Sequence, residues 1–480
     1  MQNTFKRVTC ALLTQALMTA HLASAANAIW PDPMPEPVYP SAPLRVFMQP
    51  NFQAPSASHC ERGIETREVS DGQLRPRPPA IGNPWLRDRL PEAYPSGASA
   101  AAHKAAVPAP AAAPRAESRV ADTNMRIAPR SQTQQSMGPV TAGMVDDNAA
   151  FADYLAFRAR NQQVPHRERD VRERYLLEVS DTQGRTVPDA EVVVQAANGA
   201  STWLRTDAGG KAWIHPDAFD PGKSSVYEVT ARQGTSQLKV LLQRGQKSAL
   251  EMRLEPGQRI ARTKLDLVFL VDATGSMGDE IDKLKSSLRS ITAEVAALPS
   301  HPDLCLGLVA YRDRGDEFFV RSHDLTNDVN AFQGVLNALQ AGGGGDEPEA
   351  MNEALHEAVH HLHWRGDQTT RMVILVADAP PHLDYGGPQY DDDMMAALGK
   401  GIKLMSVGAS GLNKQGEYIQ RQMAQYTGGR FIFLTYADAS NPASGPGRET
   451  VHDVRNYSVQ TLDKLVVRLV REELDKLPKS

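Results

Sequence analysis

The chain has 480 residues, enough for two or three domains. Its composition, 41% hydrophobic and 23% charged, is that of a soluble protein, and a formal net charge of −5 gives no overall basic character of the kind nucleic acid selects. Three cysteines, Cys10, Cys60 and Cys305, are too few and too widely spaced for a disulfide scaffold or a zinc ribbon. A single Cys60–Cys305 bridge is disfavoured, because Cys305 sits in an apolar run that reads as a core strand, where a free thiol packs as a small hydrophobe.

Residues 1–28 read as a signal peptide. Lys6 and Arg7 make a positive start, a mostly apolar stretch follows, and Ala23-Ser24-Ala25 and Ala26-Asn27-Ala28 both fit small-x-small cleavage. The expected location is therefore periplasmic or secreted. No later stretch reaches the ~20 apolar residues of a transmembrane segment. Residues 29–148 are rich in Pro, Ala, Ser and Arg without apolar periodicity, and read as a disordered or extended linker. Residues 149–174 read as a helical segment that becomes strongly charged.

From Tyr175 the period changes to two. Strands are expected at 175–179, 190–195, 201–205, 211–214, 226–231, 237–242 and 249–254, most of them separated by Gly or Pro clusters, as in a small β-sandwich. Asp181 and Asp207 read as turn residues rather than calcium ligands. From Lys264 the pattern changes again. Residues 265–271 form a near-continuous apolar run, as in a strand buried on both faces. Helices are expected at 279–298, 329–339, 347–362, 391–398, 415–426 and 457–474, alternating with strands at 304–310, 318–325, 371–377, 402–407 and 430–434. This is the order of an α/β domain, a doubly wound, mostly parallel sheet with helices on both faces, whose ligands bind at the carboxyl ends of the strands.

Three loops at those ends are rich in oxygen donors. In Asp272-Ala273-Thr274-Gly275-Ser276, alternate positions place a carboxylate and two hydroxyls together, a hard set suited to Mg²⁺, Mn²⁺ or Ca²⁺ rather than Zn²⁺. In Gly342-Gly343-Gly344-Gly345-Asp346-Glu347-Pro348-Glu349, four glycines imply a close backbone approach. Asp378 follows the strand at 371–377. Ser276 has no histidine placed to activate it and reads as a ligand, not a nucleophile.

Together these loops resemble the von Willebrand factor type A (integrin I-like) domain with its metal-ion-dependent adhesion site, over residues 262–475. The resemblance implies metal ligands at Asp272, Thr274, Ser276 and Asp378. Where integrin-type sites carry a threonine in the middle loop, Asp346 stands here, as in hemicentin-like and many bacterial members. A third aspartate at one divalent ion brings the formal site charge to about −1, which implies tighter metal holding and weaker capture of an acidic ligand. Residues 175–256, through Val179-x-Asp181-x-x-Gly184 and Thr206-Asp207-Ala208-Gly209-Gly210, resemble carboxypeptidase-regulatory-like β-sandwich domains, which implies a spacer.

Asp313, Asp316, Asp384 and Asp391-Asp392-Asp393 read as solvated loop charge near the same edge, with a second cation or a basic partner as the alternative. His356-Glu357-Ala358-Val359-His360 matches the His-Glu-x-x-His helix of zinc proteases. The same helix carries a 3.6-period apolar stripe, Met351, Leu355, Ala358 and Leu362, so the histidines are expected along its flank, with no third ligand at a familiar spacing. The expectation is thus a non-enzymatic, metal-dependent protein-binding protein for adhesion or assembly, whose partner offers an Asp or Glu carboxylate to the ion. The alternatives are a zinc metalloprotease built on His356, Glu357 and His360, and a scaffold whose metal only stabilises the fold.

Overall fold

The computed structural model describes residues 59–61, 63–71, 139–256, 263–345, 347–366 and 368–478. The signal peptide, Cys10 and most of the expected linker lie outside these residues.

In chain order the elements are β1 (Thr66–Val69), β2 (Thr141–Val145), α1 (Phe151–Arg160), β3 (Tyr175–Asp181), β4 (Glu191–Ala196), β5 (Ser201–Arg205), β6 (Lys211–Ile214), the single turn α2 (Pro216–Phe219), β7 (Val226–Gln233), β8 (Ser236–Gln243) and β9 (Leu250–Leu254). The C-terminal half adds β10 (Lys264–Asp272), α3 (Gly278–Ala296), β11 (Asp303–Tyr311), β12 (Val320–Thr326), α4 (Val329–Ala338), α5 (Met351–His360) and β13 (Thr369–Ala377). It closes with α6 (Tyr390–Gly399), β14 (Ile402–Gly408), α7 (Lys414–Tyr426), β15 (Phe431–Thr435), β16 (Gln460–Thr461) and α8 (Leu462–Leu474). Among the described residues no helix is long and apolar enough to cross a membrane.

The large sheet has the order β1-β12-β11-β10-β13-β14-β15-β2-β16. Its centre, from β11 to β15, is parallel, and antiparallel pairs flank it. Apolar side chains fill both faces, which explains the near-continuous hydrophobic run of β10, broken only at the buried Asp266 that Arg365 pairs. Leu265, Leu267, Phe269 and Val271 pack with Ile281, Leu284, Leu288 and Ile291 of α3 and with Leu465 and Leu469 of α8. Val268 and Leu270 point the other way, into a core shared with Leu355 of α5, Met394 of α6 and Ile419 of α7. The doubly wound architecture is as expected.

The two smaller sheets, β6-β3-β9 and β5-β4-β7-β8, contain all seven strands read at 175–254. Inward residues of both, Leu177, Val179, Val192, Val194, Val229 and Met252, belong to one core. The turn aspartates behave as turn residues. Asp181 Oδ1 accepts the amides of Gln183 and Arg185, and Asp207 Oδ1 those of Gly209 and Lys211.

Several expectations need correction. The segment assigned wholly to a linker supplies two strands of the large sheet. β1 pairs with β12 at one edge, and β2 pairs with β15 near the other. Neither reads as a strand from sequence. Only Val69 of β1 is buried, and β2 is short and carries Gly143, where a Cβ would meet the Phe433 ring at 2.6 Å. Cys60 and Cys305 are joined in a disulfide with Cα atoms 6.0 Å apart, so Cys305 is not a free core thiol. It also anchors the segment that leads into β1. The helix expected over 149–174 ends at Arg160, and the charged stretch after it is not helical, with Arg167 and Arg169 drawn to Asp391 and Asp392.

Sandwich and α/β domain share a polar seam. Asp189, in the left-handed region at φ 56°, accepts from Arg371 Nη1 of β13 at 2.9 Å and from the Gln368 amide at 2.7 Å. A second knot ties Glu473 of α8 to Lys403 Nζ at 2.7 Å, to Lys476 Nζ at 2.8 Å and to the Ala208 amide at 3.2 Å.

Candidate metal centre

β10 ends on Asp272, and the chain turns at once through a short 3-10 turn, Gly275–Met277, into α3. The carboxylate of Asp272 is fully buried, and its Oδ1 accepts the Thr274 amide at 3.0 Å and the Thr274 hydroxyl at 2.7 Å. The Thr274 hydroxyl lies 3.0 Å from that of Ser276, which is exposed. Asp378 follows β13, the parallel neighbour of β10, and so reaches the same end of the sheet. The residue types and positions that the sequence singled out as Asp272, Thr274, Ser276 and Asp378 are thus brought together. Asp346 lies outside the described residues.

The glycine loop makes the close approach its composition implies. The Gly342 amide donates to Ala273 O and Gly343 O accepts the Gly275 amide, so this backbone is laced to the first loop. Gly343 has φ 75°, and a Cβ there would fall 2.2 Å from the Asp316 carboxyl carbon. At Gly344, with φ 68°, a Cβ would crowd Glu349 Oε1 at 3.1 Å and Thr274 Cβ at 3.2 Å. Asp316 is loop architecture, accepting the Asp313 amide at 3.0 Å and the Gly344 amide at 2.8 Å.

Glu349 is the residue that sequence reasoning missed. The sequence pattern places it in a helix over 347–362, whereas α5 starts only at Met351. The preceding residues instead run beside Pro380 and Pro381, with the Glu349 amide donating to Pro380 O. This delivers a carboxylate, 3% exposed, into the site. A Pro-Glu pair directly after a glycine-rich acidic loop was the available signal, since the restriction a proline places on the residue before it argues against a helix starting at Glu347.

The electrostatics are those of crowded carboxylates without a counter-charge. Burial, then the charge of Asp378, pushes Asp272 up to about 7. Burial, then Asp272, Asp313, Asp378 and Asp316, pushes Glu349 up to about 9. Burial raises Asp378 too, with the Ser276 hydroxyl offsetting part of the rise. Asp272 Oδ2, Glu349 Oε2 and Asp378 Oδ1 are buried without a hydrogen-bond partner. Among the described residues no lysine or arginine pairs with these three acids. Carboxylate and hydroxyl oxygens alone, with unpaired acceptors, fit a hard divalent cation.

The acidic rim divides. Asp313 accepts the Tyr385 hydroxyl at 2.5 Å, and His382 Nδ1 lies 2.9 Å from Asp384 Oδ1. Asp391 and Asp393, read as solvated loop charge, are instead buried in the first turn of α6. The reason is that partners from other elements satisfy them: Arg167 and Arg169 pair with Asp391, and ring nitrogens of His356 and His360 lie within hydrogen-bond reach of Asp393. In the His-Glu-x-x-His helix, Glu357 turns away from its histidines. It accepts from Ser322 Oγ of β12 at 2.8 Å, and Arg67 of β1 lies 3.5 Å from it.

Comparison with known proteins bears on this geometry. A family model described as "von Willebrand factor A domain" matches residues 266–382, the stretch from β10 through Asp378 to His382. Residues 266–382 contain a von Willebrand factor A domain. Over 148 residues the chain is 32% identical to the alpha-protein kinase vwkA of Dictyostelium discoideum, covering 29% of this chain and 22% of that protein. Over 116 residues it is 38% identical to von Willebrand factor A domain-containing protein 7 of Mus musculus, covering 24% of this chain and 12% of that protein. The match thus spans less than a quarter of either relative. Among solved structures, the pilus adhesin SpaC of Lactobacillus rhamnosus GG in its open conformation aligns at 15% identity and a TM-score of 0.28, covering 43% of this chain and 31% of that one. In this chain the A-domain sheet runs on beyond the matched stretch, through β14 and β15.

Proposed function

We propose that the chain is an exported protein that binds a protein partner, in adhesion or assembly, through a divalent cation held by its A domain. The observation that carries this reading is the trio of buried, unpartnered carboxylate oxygens on Asp272, Glu349 and Asp378. Mg²⁺ is the favoured ion, with Mn²⁺ or Ca²⁺ as substitutes, because every donor is a hard oxygen. Asp272, Thr274, Ser276, Glu349 and Asp378 would hold it, with Asp346 a further candidate. When bound, the ion supplies concentrated positive charge to which a partner's Asp or Glu carboxylate can bind. The protein's own part is preorganisation. Thr274 holds Asp272 Oδ1 and so presents Oδ2, the exposed Ser276 sits at the solvent edge, and the glycine loop lets Glu349 close in from the side.

Export is supported by the Cys60–Cys305 disulfide, since such bonds persist in oxidising compartments. The sandwich would serve as a spacer. A binding protein is favoured over a zinc protease because Glu357, the required general base, is committed to Ser322 and Arg67 on the far side of its helix.

The test is a thermal melt of the full chain after chelation, then with Mg²⁺, Mn²⁺, Ca²⁺ or Zn²⁺, beside Asp272→Ala. A rise with Mg²⁺ or Mn²⁺ that the variant lacks supports the site. No response to any hard cation would reject it. If Asp272→Ala loses stability yet keeps partner binding, the metal is a scaffold element only.

A further inference from the structure

α5 carries His356 and His360 one turn apart, and Asp393 comes from the first turn of α6. The three side chains converge on one point. His356 Nδ1 lies 3.0 Å and His360 Nε2 2.8 Å from the same oxygen, Asp393 Oδ1. The two imidazole rings are 4.4 Å apart between centroids.

We propose that His356, His360 and Asp393 form a second metal site, taking a transition ion of the Zn²⁺ class and clamping α5 to α6. Two imidazoles and one carboxylate are a donor set that favours Zn²⁺ or Co²⁺ over Mg²⁺ and Ca²⁺, the reverse of the oxygen-only site. One ligand atom from each residue lies within 4.8 Å of the others. A tetrahedral ion with bonds of about 2.0–2.1 Å spaces its ligand atoms about 3.4 Å apart. Opening each nitrogen–oxygen contact by roughly half an ångström therefore admits the ion.

The surroundings isolate this carboxylate for the purpose. Its neighbours Asp391 and Asp392 are taken by Arg167 and Arg169, whereas Asp393 pairs with the two histidines. Lys400, the competing cation, gives its ammonium to Val359 O at 2.6 Å, and burial draws its pKa down to about 8. The His356 side chain is 22% exposed, so solvent reaches the site and leaves room for a water as fourth ligand. The site is not catalytic, because Glu357 faces β12. Its consequence is mechanical: α5 follows Glu349 and α6 follows the Asp378 loop, so the clamp braces two walls of the oxygen site.

The experiment titrates ZnCl₂ and, separately, MgCl₂ into the chelator-treated full chain by calorimetry, with Asp272→Ala, His360→Ala and His360→Gln beside the parent. Circular dichroism checks that each variant folds. His360→Gln keeps a hydrogen-bond donor toward Asp393 and guards against collapse of the alanine variant. One tight Zn²⁺ equivalent is expected in the parent and in Asp272→Ala, weakened at least about tenfold in either His360 variant. CoCl₂ should give the parent the intense visible bands of a low-coordinate nitrogen–oxygen site. Zinc binding unchanged by His360 substitution, zinc binding lost in Asp272→Ala, or a cobalt spectrum of the hydrated ion would each overturn the proposal.

Discussion

Asp272, Glu349 and Asp378 are pressed together by the fold against their own repulsion. A buried carboxylate that lacks a cation destabilises the chain that carries it. Asp272→Asn keeps an Oδ1 acceptor for Thr274 and places an amide donor where Oδ2 faces the other acids. In chelator this variant should therefore be more stable than the parent, by about 1–3 kcal/mol, while losing its response to Mg²⁺. Thermal melts with and without Mg²⁺ read both effects, and a variant less stable than the parent in chelator would contradict the crowding argument. Glu349→Gln separates the missed residue from the recognised ones. If Glu349 is a ligand, Mg²⁺ affinity by calorimetry should fall at least about tenfold, and an unchanged affinity would assign it to the rim alone.

At the level of single elements, the glycine loop and α8 carry the clearest consequences. Gly343 combines positive φ with the Asp316 carboxylate at its back. Gly343→Ala should cost about 2 kcal/mol or more and loosen the contact between the two site loops, seen as a lowered midpoint in urea. In α8, burial alone would raise Glu473, but Lys403 and Lys476 outweigh it and hold this carboxyl at about 2. A carboxyl depressed in the folded state stabilises above its unfolded pKa, near 4.3, and loses that contribution as pH falls through about 2. Lys403→Met should accordingly destabilise the chain by about 1–3 kcal/mol at pH 7. The deficit should shrink between roughly pH 4 and pH 2, which urea melts across that range would show. A pH-independent deficit would mean that Lys403 acts by packing only.

Across the whole molecule, the A domain does not stand apart from what precedes it. β2 adds to its sheet, β1 covers the opposite edge, and the sandwich supplies Asp189 to the fully buried Arg371. A fragment starting at residue 258 lacks all three, and should melt below the full chain even with metal added. Equal midpoints would show that the seam adds no stability. The disulfide acts at the same scale by joining residues 245 apart in sequence. Its reduction should cost about 2–5 kcal/mol, read as a lower midpoint in reductant that Cys305→Ser reproduces.

Local chemistry made much of this protein legible in one dimension. The apolar run of β10, the period-two strands of the sandwich and the Asp-x-Thr-Gly-Ser turn depend on neighbours along the chain, so their pattern survives in the sequence. The glycine run likewise announced a close approach, although not what it approaches. The rest depended on contacts made across long stretches of chain. β1 is short and polar and β2 is short and broken by Gly143, so neither signals a strand, and both exist because the sheet is there to receive them. Glu349 enters the site because its backbone runs beside Pro380 and Pro381 before α5 begins, a shift of a few residues that periodicity does not register. Asp393 completes a cluster with His356 and His360 because α6 packs beside α5. The Cys60–Cys305 bond forms because the segment before β1 folds back onto the sheet, where the Cys60 carbonyl accepts the Asn327 amide just past β12, next to β11. Sequence alone therefore determined the elements whose pattern is local and the oxygen-rich character of the first loop, and tertiary packing decided which distant side chains came to share each buried charge.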